Sequence, residues 1–270
     1  MLQGMKPGGL VAMVRARLFV AAVLAGSCSK SPPELKEVIT APPASMETYG
    51  YYSKYLDAGG IPILAAGNVD DLALARLKAI INEMLGKRPD VRGVLQAREI
   101  RFAIIPKNSV TTDLPELRDL YKLFPGRDWN KVTRGGGATE FIPVVSCAEE
   151  NLLKLPSDVY LGESICVHEF AHTMHEMGLR RLEPGFDDRL NELYRAALDS
   201  GVIAGTYAAT AVIEYFAEMS QSFLDTNLCR EVTDGNHGPV CRNAVLKQRD
   251  PEMWKLLDSI YNLPPAKRQW

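Results

Sequence analysis

The segment His168-Glu169-Phe170-Ala171-His172 holds two histidines four residues apart, with a glutamate next to the first. On an α-helix, such histidines lie one turn apart on the same face and direct both imidazoles at one point. Imidazole nitrogens bind Zn²⁺, which lowers the pKa of a bound water to about 7, so that a neighbouring carboxylate can deprotonate it. The motif predicts zinc ligation by His168 and His172, with Glu169 as a general base.

The flanking sequence predicts that this motif lies on a helix. Residues 163–177 contain neither Gly nor Pro, and Gly178 is expected to end the helix. Phe170 and Met174 make the segment apolar enough for a core helix. The alternative interpretation is a core helix whose histidines are buried and hydrogen-bonded, which is a costly way to fill a core.

A catalytic zinc needs a third protein ligand. His175 shares the stripe of the first two histidines, but seven residues along a helix from His168 is about 10.5 Å, too far to reach the same ion. The order of His175 and Gly178 also reverses the pattern H-E-x-x-H-x-x-G-x-x-H. We therefore expect His175 to support the site or to face solvent.

A second helix is predicted downstream over residues 210–224, with Thr210 as its N-cap. Its apolar residues recur at helical spacing, and Glu214 and Glu218 lie one turn apart on one face. Alone, two such carboxylates indicate a solvated acidic face. Beside the upstream motif, they suggest that one of them completes a His₂Glu zinc site.

Together the two motifs resemble the catalytic domain of anthrax toxin lethal factor and the bacterial metallopeptidase domains similar to it. The resemblance rests on Val167-His-Glu-Phe-Ala-His172 and, about forty residues later, Tyr207-Ala-x-Thr-x-x-x-Glu214-x-Phe-Ala-Glu218. It covers roughly a quarter of the chain, from about residue 162 to 223.

The resemblance implies one Zn²⁺ on His168, His172 and Glu214, with Glu169 as the base. It further implies that the Tyr207 hydroxyl stabilises the oxyanion. Glu218 would orient a ligating histidine through its other ring nitrogen.

The amino terminus predicts an export signal over residues 1–27. Arg15 and Arg17 precede the apolar run 18–24, which is too short to span a membrane, and small residues then precede Cys28. Two outcomes remain open at Cys28: a lipid anchor that tethers the protein to the cell-envelope membrane, or ordinary cleavage and secretion.

Residues 28–48 hold four prolines among polar residues and predict a tether. Residues 49–270 are long enough for one core and are expected to form one zinc metallopeptidase-like domain. The predicted fold class is α+β and zincin-like, with a small mixed sheet followed by a mainly helical C-terminal half that carries the motif helix. Strands are predicted at 61–66, 99–105 and 141–146, and further helices at 69–85, 187–198 and 250–261.

Pro143 should exclude the strand over 141–146 from the centre of the sheet. This strand is therefore expected at an edge, where it either pairs with an extended substrate or is merely the sheet margin. The three glycines at 135–137 are expected to be a mobile lip of the cleft or a simple loop.

The charge of the chain narrows the classes of partner that it could bind. A net charge of −2 with dispersed Lys and Arg argues against nucleic acid as a partner.

Cys229 and Cys241 flank a polar loop and are expected to form a disulfide after export. Cys147 and Cys166 either form a second disulfide or remain buried thiols.

These features predict an exported, monomeric zinc peptidase that hydrolyses amide bonds of a peptide or protein substrate. A zinc amidase acting on cell-wall peptides would use the same site. A zinc-binding or adhesion module of the cell envelope would hold the metal without turnover.

Overall fold

The computed structural model describes residues 37–261, which form a mixed α+β structure with a five-stranded sheet and about ten helices, as the α+β prediction requires. The strands are β1 (Lys54–Asp57), β2 (Pro62–Ala65), β3 (Arg101–Ile105), β4 (Gly135–Gly136) and β5 (Val144–Ala148). The α-helices are α1 (Asp71–Met84), α2 (Pro89–Ala97), α3 (Leu120–Leu123), α4 (Trp129–Val132), α5 (Glu149–Leu153), α6 (Ile165–Thr173), α7 (Arg180–Leu182), α8 (Phe186–Asp199), α9 (Val212–Phe223), α10 (Asn243–Arg249) and α11 (Pro251–Tyr261). Short 3₁₀ turns span Thr111–Asp113, Pro115–Leu117 and Tyr207–Ala209.

The sheet has the strand order β1-β2-β3-β5-β4. Its three inner strands are parallel, and the outer strands β1 and β4 are antiparallel to their neighbours. The prediction that the strand after Pro143 lies at an edge is wrong, because β5 pairs on both sides and β4 is the edge strand. Pro143 lies just before β5, where its missing N–H costs no bond of the ladder, and its carbonyl accepts from Arg101 N.

Both faces of the sheet are buried. Phe102 and Ile104 point into the main core with the apolar faces of α1 and α6, whereas Ala103 and Ile105 point to a smaller cluster on the other side. That cluster is closed by apolar residues of the segment 111–123. Alternation along β3 thus places α6 on one defined face of the sheet.

Helix α6 is fixed to the sheet at two points. The rings of Phe102 and Phe170 pack edge to face with centroids 4.9 Å apart. A disulfide joins Cys147 of β5 to Cys166 of α6, so the second cysteine pair is also bonded.

The prediction that Gly178 ends this helix is wrong. After Thr173 the chain continues as a π-helix over Met174–Leu179 and then as α7. A Cβ at Gly178 would lie 2.8 Å from Cγ1 of Val91, so glycine is needed here for close packing against α2.

The second motif helix begins later than predicted. Thr210 ends the 3₁₀ turn that starts at Tyr207, and its hydroxyl donates to Tyr207 O at 2.7 Å, so it is not the N-cap. Helix α9 begins at Val212 after the extended residue Ala211.

Part of the range predicted as a tether contacts the domain. Thr40 pairs with Tyr55 of β1, and Glu37 forms an ion pair with Lys78 at 2.8 Å. The predicted export signal, including Cys28, lies outside the described residues. Within residues 37–261, no helix has the length and apolarity needed to cross a membrane.

Candidate metal centre

The site is built where α6 packs against α9. Ser164 caps α6 by accepting from Val167 N, and the Ser164 carbonyl accepts a hydrogen bond from Gln221 Nε2 of α9 at 3.0 Å. A bond from one helix to the capping residue of the other fixes their relative position. The histidines of α6 therefore face the glutamates of α9.

Three donor atoms converge at this crossing. Nε2 of His168 and Nε2 of His172 are 3.0 Å apart, and Oε2 of Glu214 lies 3.1 Å and 3.2 Å from them. Tetrahedral bonds of about 2.0–2.1 Å to a zinc ion would separate two ligand atoms by roughly 3.3 Å. The triangle is close to that size, so His168, His172 and Glu214 can hold one metal ion.

The remote nitrogen of His168 is held by α9. Its Nδ1 lies 3.0 Å from Oε1 of Gln221 and 3.3 Å from Oε1 of Glu218. Because Gln221 Nε2 is already committed to Ser164, its oxygen faces the imidazole and accepts from Nδ1–H. The proton is thereby placed on Nδ1, and the lone pair of Nε2 is left for a metal.

Glu218 is itself fixed, because its Oε2 accepts from Asn227 Nδ2 at 2.9 Å. The sequence resemblance placed Glu218 beside a ligating histidine but did not indicate Gln221. The available signal was spacing: Gln221 follows Glu214 by seven residues and Glu218 by three, on the same face of α9. His172 has no such partner, since its buried Nδ1 makes no hydrogen bond within residues 37–261.

The electrostatics of the centre favour positive charge. Burial acts to lower the pKa of His168, but the Glu214 and Glu218 carboxylates outweigh it and hold that pKa well above 6.5. Burial acts to raise the pKa of Glu214, but hydrogen bonds from His168 and His172 hold it well below its ordinary range. The carboxylates that favour a proton on Nε2 of His168 would also favour a metal cation that replaces this proton.

The metal centre opens into a cleft with two adjoining parts. The His237 pocket, of about 520 Å³, reaches Tyr160, Glu163 and His237. The glycine pocket, of about 360 Å³, reaches Gly137 and Glu176. Both parts share six lining residues, namely Arg127, Thr133, Gly135, His168, Glu169 and Tyr207.

Glu169 and Tyr207 thus line the same cleft as the metal donors. The Tyr207 ring stacks beside His168 with centroids 6.2 Å apart. Burial and the nearby Glu214 carboxylate raise the pKa of Tyr207 to about 12, so its hydroxyl keeps its proton at neutral pH.

The glycine run is neither a mobile lip nor a simple loop, because Gly135 and Gly136 form the edge strand β4 against α6. A Cβ at Gly135 would lie 3.0 Å from Glu169 Cγ, and one at Gly137 would lie 3.2 Å from His172 Cβ. Only glycine lets the strand approach the motif helix this closely.

A disulfide-closed loop forms another wall. Cys229 and Cys241 are bonded, and the loop between them presents the Asn236 carbonyl, which accepts from Tyr207 N at 2.8 Å. His237, on the same loop, pairs at 3.3 Å with Glu163, whose side chain is largely covered. Sequence reasoning anticipated this disulfide but assigned the loop no place in the site.

His175 lies away from the donor triangle. It is buried, not solvated, and its Nε2 donates to Asp187 Oδ1 at 2.8 Å. Its ring contacts Phe186 and Phe216, with centroids 5.4 Å away in each case.

Comparison with known proteins finds no family model that matches this chain and no curated protein that matches it. The function is therefore inferred from the geometry of the site. That geometry defines a candidate metal centre of two imidazoles and one carboxylate in an open cleft.

Proposed function

We propose that this protein is a zinc-dependent peptidase of the zincin-like class. The observation that carries the proposal is the donor triangle of His168, His172 and Glu214 in a cleft that Glu169 and Tyr207 also line. Two imidazoles and one carboxylate are a ligand set of catalytic zinc sites, which keep a further position open. Zinc bound there supplies a Lewis acid and acidifies water.

Glu169 is the proposed general base. Its carboxylate accepts the proton of the water that attacks the amide carbonyl and passes it to the departing amine. Tyr207 Oη donates a hydrogen bond to the oxygen that gains charge when water adds to the carbonyl. Its raised pKa supports this role, because a phenol can donate only while it is protonated.

A peptide backbone is the substrate class that the edge strand favours. Strand β4 borders the cleft, and no other described strand pairs with its outer side. An extended peptide can add to such an edge through main-chain hydrogen bonds. The absence of side chains at Gly135 and Gly136 leaves room for its approach.

We further propose that the enzyme acts outside the cytoplasm as a monomer, in the cell envelope or as a secreted protein. The Cys147–Cys166 and Cys229–Cys241 disulfides support an oxidising compartment. Export and a lipid anchor on Cys28 rest on the sequence alone.

The test is digestion of an unbiased peptide library by zinc-loaded protein. Glu169→Gln keeps the side-chain size and should lower kcat by about 10²–10⁴, and Tyr207→Phe should lower it by about 10²–10³. Both variants should retain one zinc per chain, measured by plasma mass spectrometry. A matched control is Tyr52→Phe, which removes a hydroxyl outside the cleft that donates to Glu116 Oε2.

Wild-type turnover by Glu169→Gln would contradict this assignment of the base. Absence of any cleavage by wild-type protein with stoichiometric zinc would instead favour a metal-binding module without turnover. Cleavage of cell-wall peptides alone would favour the amidase.

A further inference from the structure

Two arginines line the His237 pocket, and they differ in what their guanidinium groups bind. Arg134 is fully engaged: its Nε and Nη2 donate to the two carboxylate oxygens of Glu150 at 2.6 Å and 2.8 Å. Its Nη1 donates to Ser109 O at 2.7 Å. Arg134 therefore has a structural role in the wall of the cleft.

Arg127 is the contrasting case. Its side chain is exposed, and its guanidinium carbon lies 4.6 Å from the centroid of the Trp129 ring. Within the part of the chain that the structure describes, no carboxylate pairs with it. A guanidinium resting on an aromatic ring is held in position while its N–H groups remain available.

The acids around Arg127 in the His237 pocket are otherwise committed. Glu163 pairs with His237, and Glu218 bonds to His168 and Asn227. Glu169 is the remaining carboxylate that lines that pocket, and it is the proposed general base. Glu176 lies in the glycine pocket, and no ion pair joins it to Arg127.

Arg127 also shares the cleft with the groups proposed to act on the substrate. It lines both parts of the cleft together with His168, Glu169 and Tyr207. Its charge acts to lower the pKa of Tyr207 and of Tyr160, although burial of each phenol outweighs it and both pKa values are raised. A ligand that spans the metal centre therefore passes within reach of this cation.

We infer that Arg127 is a specificity residue that binds a carboxylate of the peptide substrate near the scissile bond. The inference rests on the proposed peptidase function. Arginine is suited to this task because its planar group can donate two parallel hydrogen bonds to one carboxylate. The carboxylate comes either from an Asp or Glu side chain or from the carboxyl terminus of a short peptide.

The test compares peptides that differ only in charge, using zinc-loaded protein. One set carries Glu, Gln or Lys at each position around the cleaved bond, and the other carries a free or an amidated carboxyl terminus. Wild-type protein should prefer the carboxylate member of at least one set by roughly tenfold in kcat/KM. The set that shows the preference identifies the source of the carboxylate.

Three substitutions make the test specific to Arg127. Arg127→Gln should abolish the preference, Arg127→Lys should retain part of it, and Arg127→Glu should reverse it in favour of Lys. Arg195→Gln is the matched control, because Arg195 is exposed on α8 and does not line the cleft. Equal cleavage of charged and neutral peptides by wild-type protein would overturn the inference, as would a preference that persists in Arg127→Gln.

Binding separates failure of this inference from failure of the proposed function. The Kd of the same peptides is measured calorimetrically on Glu169→Gln and on Glu169→Gln/Arg127→Gln. The second substitution should weaken binding of the carboxylate peptides by roughly tenfold, whether or not the wild type cleaves them. Unchanged Kd values would contradict the role of Arg127 even in an active peptidase.

Discussion

The motif helix and its π-helical continuation each place histidine beside a carboxylate of another helix, yet the two ends differ in kind. At the first end, His168, His172 and Glu214 bring three donor atoms within 3.2 Å of one another. At the second, Asp187 is the one side-chain hydrogen-bond partner of His175 within residues 37–261, and the other oxygen of Asp187 accepts from Arg180. We call these the metal end and the ion-pair end.

The difference shows that residue types alone do not make a metal centre. At the metal end, α9 adds the ligand Glu214. It also fixes the ring of His168, because Gln221 and Glu218 contact its Nδ1. At the ion-pair end, aromatic rings enclose His175 and Arg180 already neutralises Asp187. Two features therefore distinguish a cation site from a buried hydrogen bond: several donor atoms converge on one point, and outer partners hold the ligating side chains in place.

The largest expected difference between the ends is in metal content. Glu214→Ala removes one of three ligands and should weaken zinc binding by roughly a hundredfold or more. Asp187→Ala should leave the zinc stoichiometry at one per chain, because Asp187 does not face the donor triangle. Affinity is measured by competition with a chelator. Tight zinc retained in Glu214→Ala but lost in Glu218→Ala would move the third ligand by one turn of α9.

The outer partners of His168 give the next test. Glu218→Gln and Gln221→Ala should each weaken zinc binding by about 10–100-fold, since loss of such groups has that effect in other metal sites. His175→Gln alters the ion-pair end and should leave the affinity within about twofold. The same chelator competition measures all three. If all three variants bound zinc as tightly as the wild type, α9 would contribute only the ligand Glu214 to the site.

Two glycines, one near each end, allow the packing of the two ends to be compared by substitution with alanine. A Cβ at Gly135 would lie 2.6 Å from Ile165 Cγ2, and one at Gly178 would lie 2.8 Å from Val91 Cγ1. Either substitution by Ala should lower the free energy of unfolding by about 1–3 kcal/mol, measured in urea. Only Gly135→Ala should also lower kcat/KM, because it displaces Glu169.

The control for both is Gly93→Ala in α2, where an added Cβ meets nothing within 4 Å. This change should raise the free energy of unfolding by about 0.5–1 kcal/mol, since alanine favours the helix. A similar loss of stability in all three variants would exclude close approach as the cause.

The smallest expected effect is a pH dependence at the ion-pair end. Burial lowers the pKa of His175 below 6.5 and outweighs the hydrogen bond to Asp187, which acts to raise it. The unfolded chain therefore binds a proton near pH 6.5 that the folded chain does not, so folding loses stability as the pH falls below about 6.5. His175→Gln should reduce this loss, seen as a smaller fall in Tm between pH 7 and pH 5. A steeper fall in the variant would show that His175 is charged in the folded protein.

Much of the centre could be read from the order of residues, because helical periodicity is a local property. The four-residue spacings of His168 with His172 and of Glu214 with Glu218 place each pair on one face, whatever the helices pack against. The mixed α+β class also followed from runs of apolar residues. Gln221 lies at the same helical spacing as Glu214 and Glu218, but no sequence motif distinguishes it from an ordinary polar residue.

Other features depended on distances between segments that are remote in sequence. Pro143 was compatible with an edge strand, but the pairing of β4 with β5 decided which strand lies at the edge. The glycines at 135 and 178 looked like a loop and a helix end, and only the separation of packed backbones gave them their role. Burial of His175 likewise depended on where α8 and α9 lie.

The sequence by itself determined the types and local geometry of the groups that can bind a metal: two histidines on one helix, with a neighbouring carboxylate, and two glutamates on a second helix. Tertiary structure decided which carboxylate reaches the histidines, which groups support them and which arginines line the cleft. The physical reason is that helix periodicity sets a direction for each side chain, whereas convergence to about 3 Å requires the crossing of α6 and α9. That crossing is determined by the packing of the whole core.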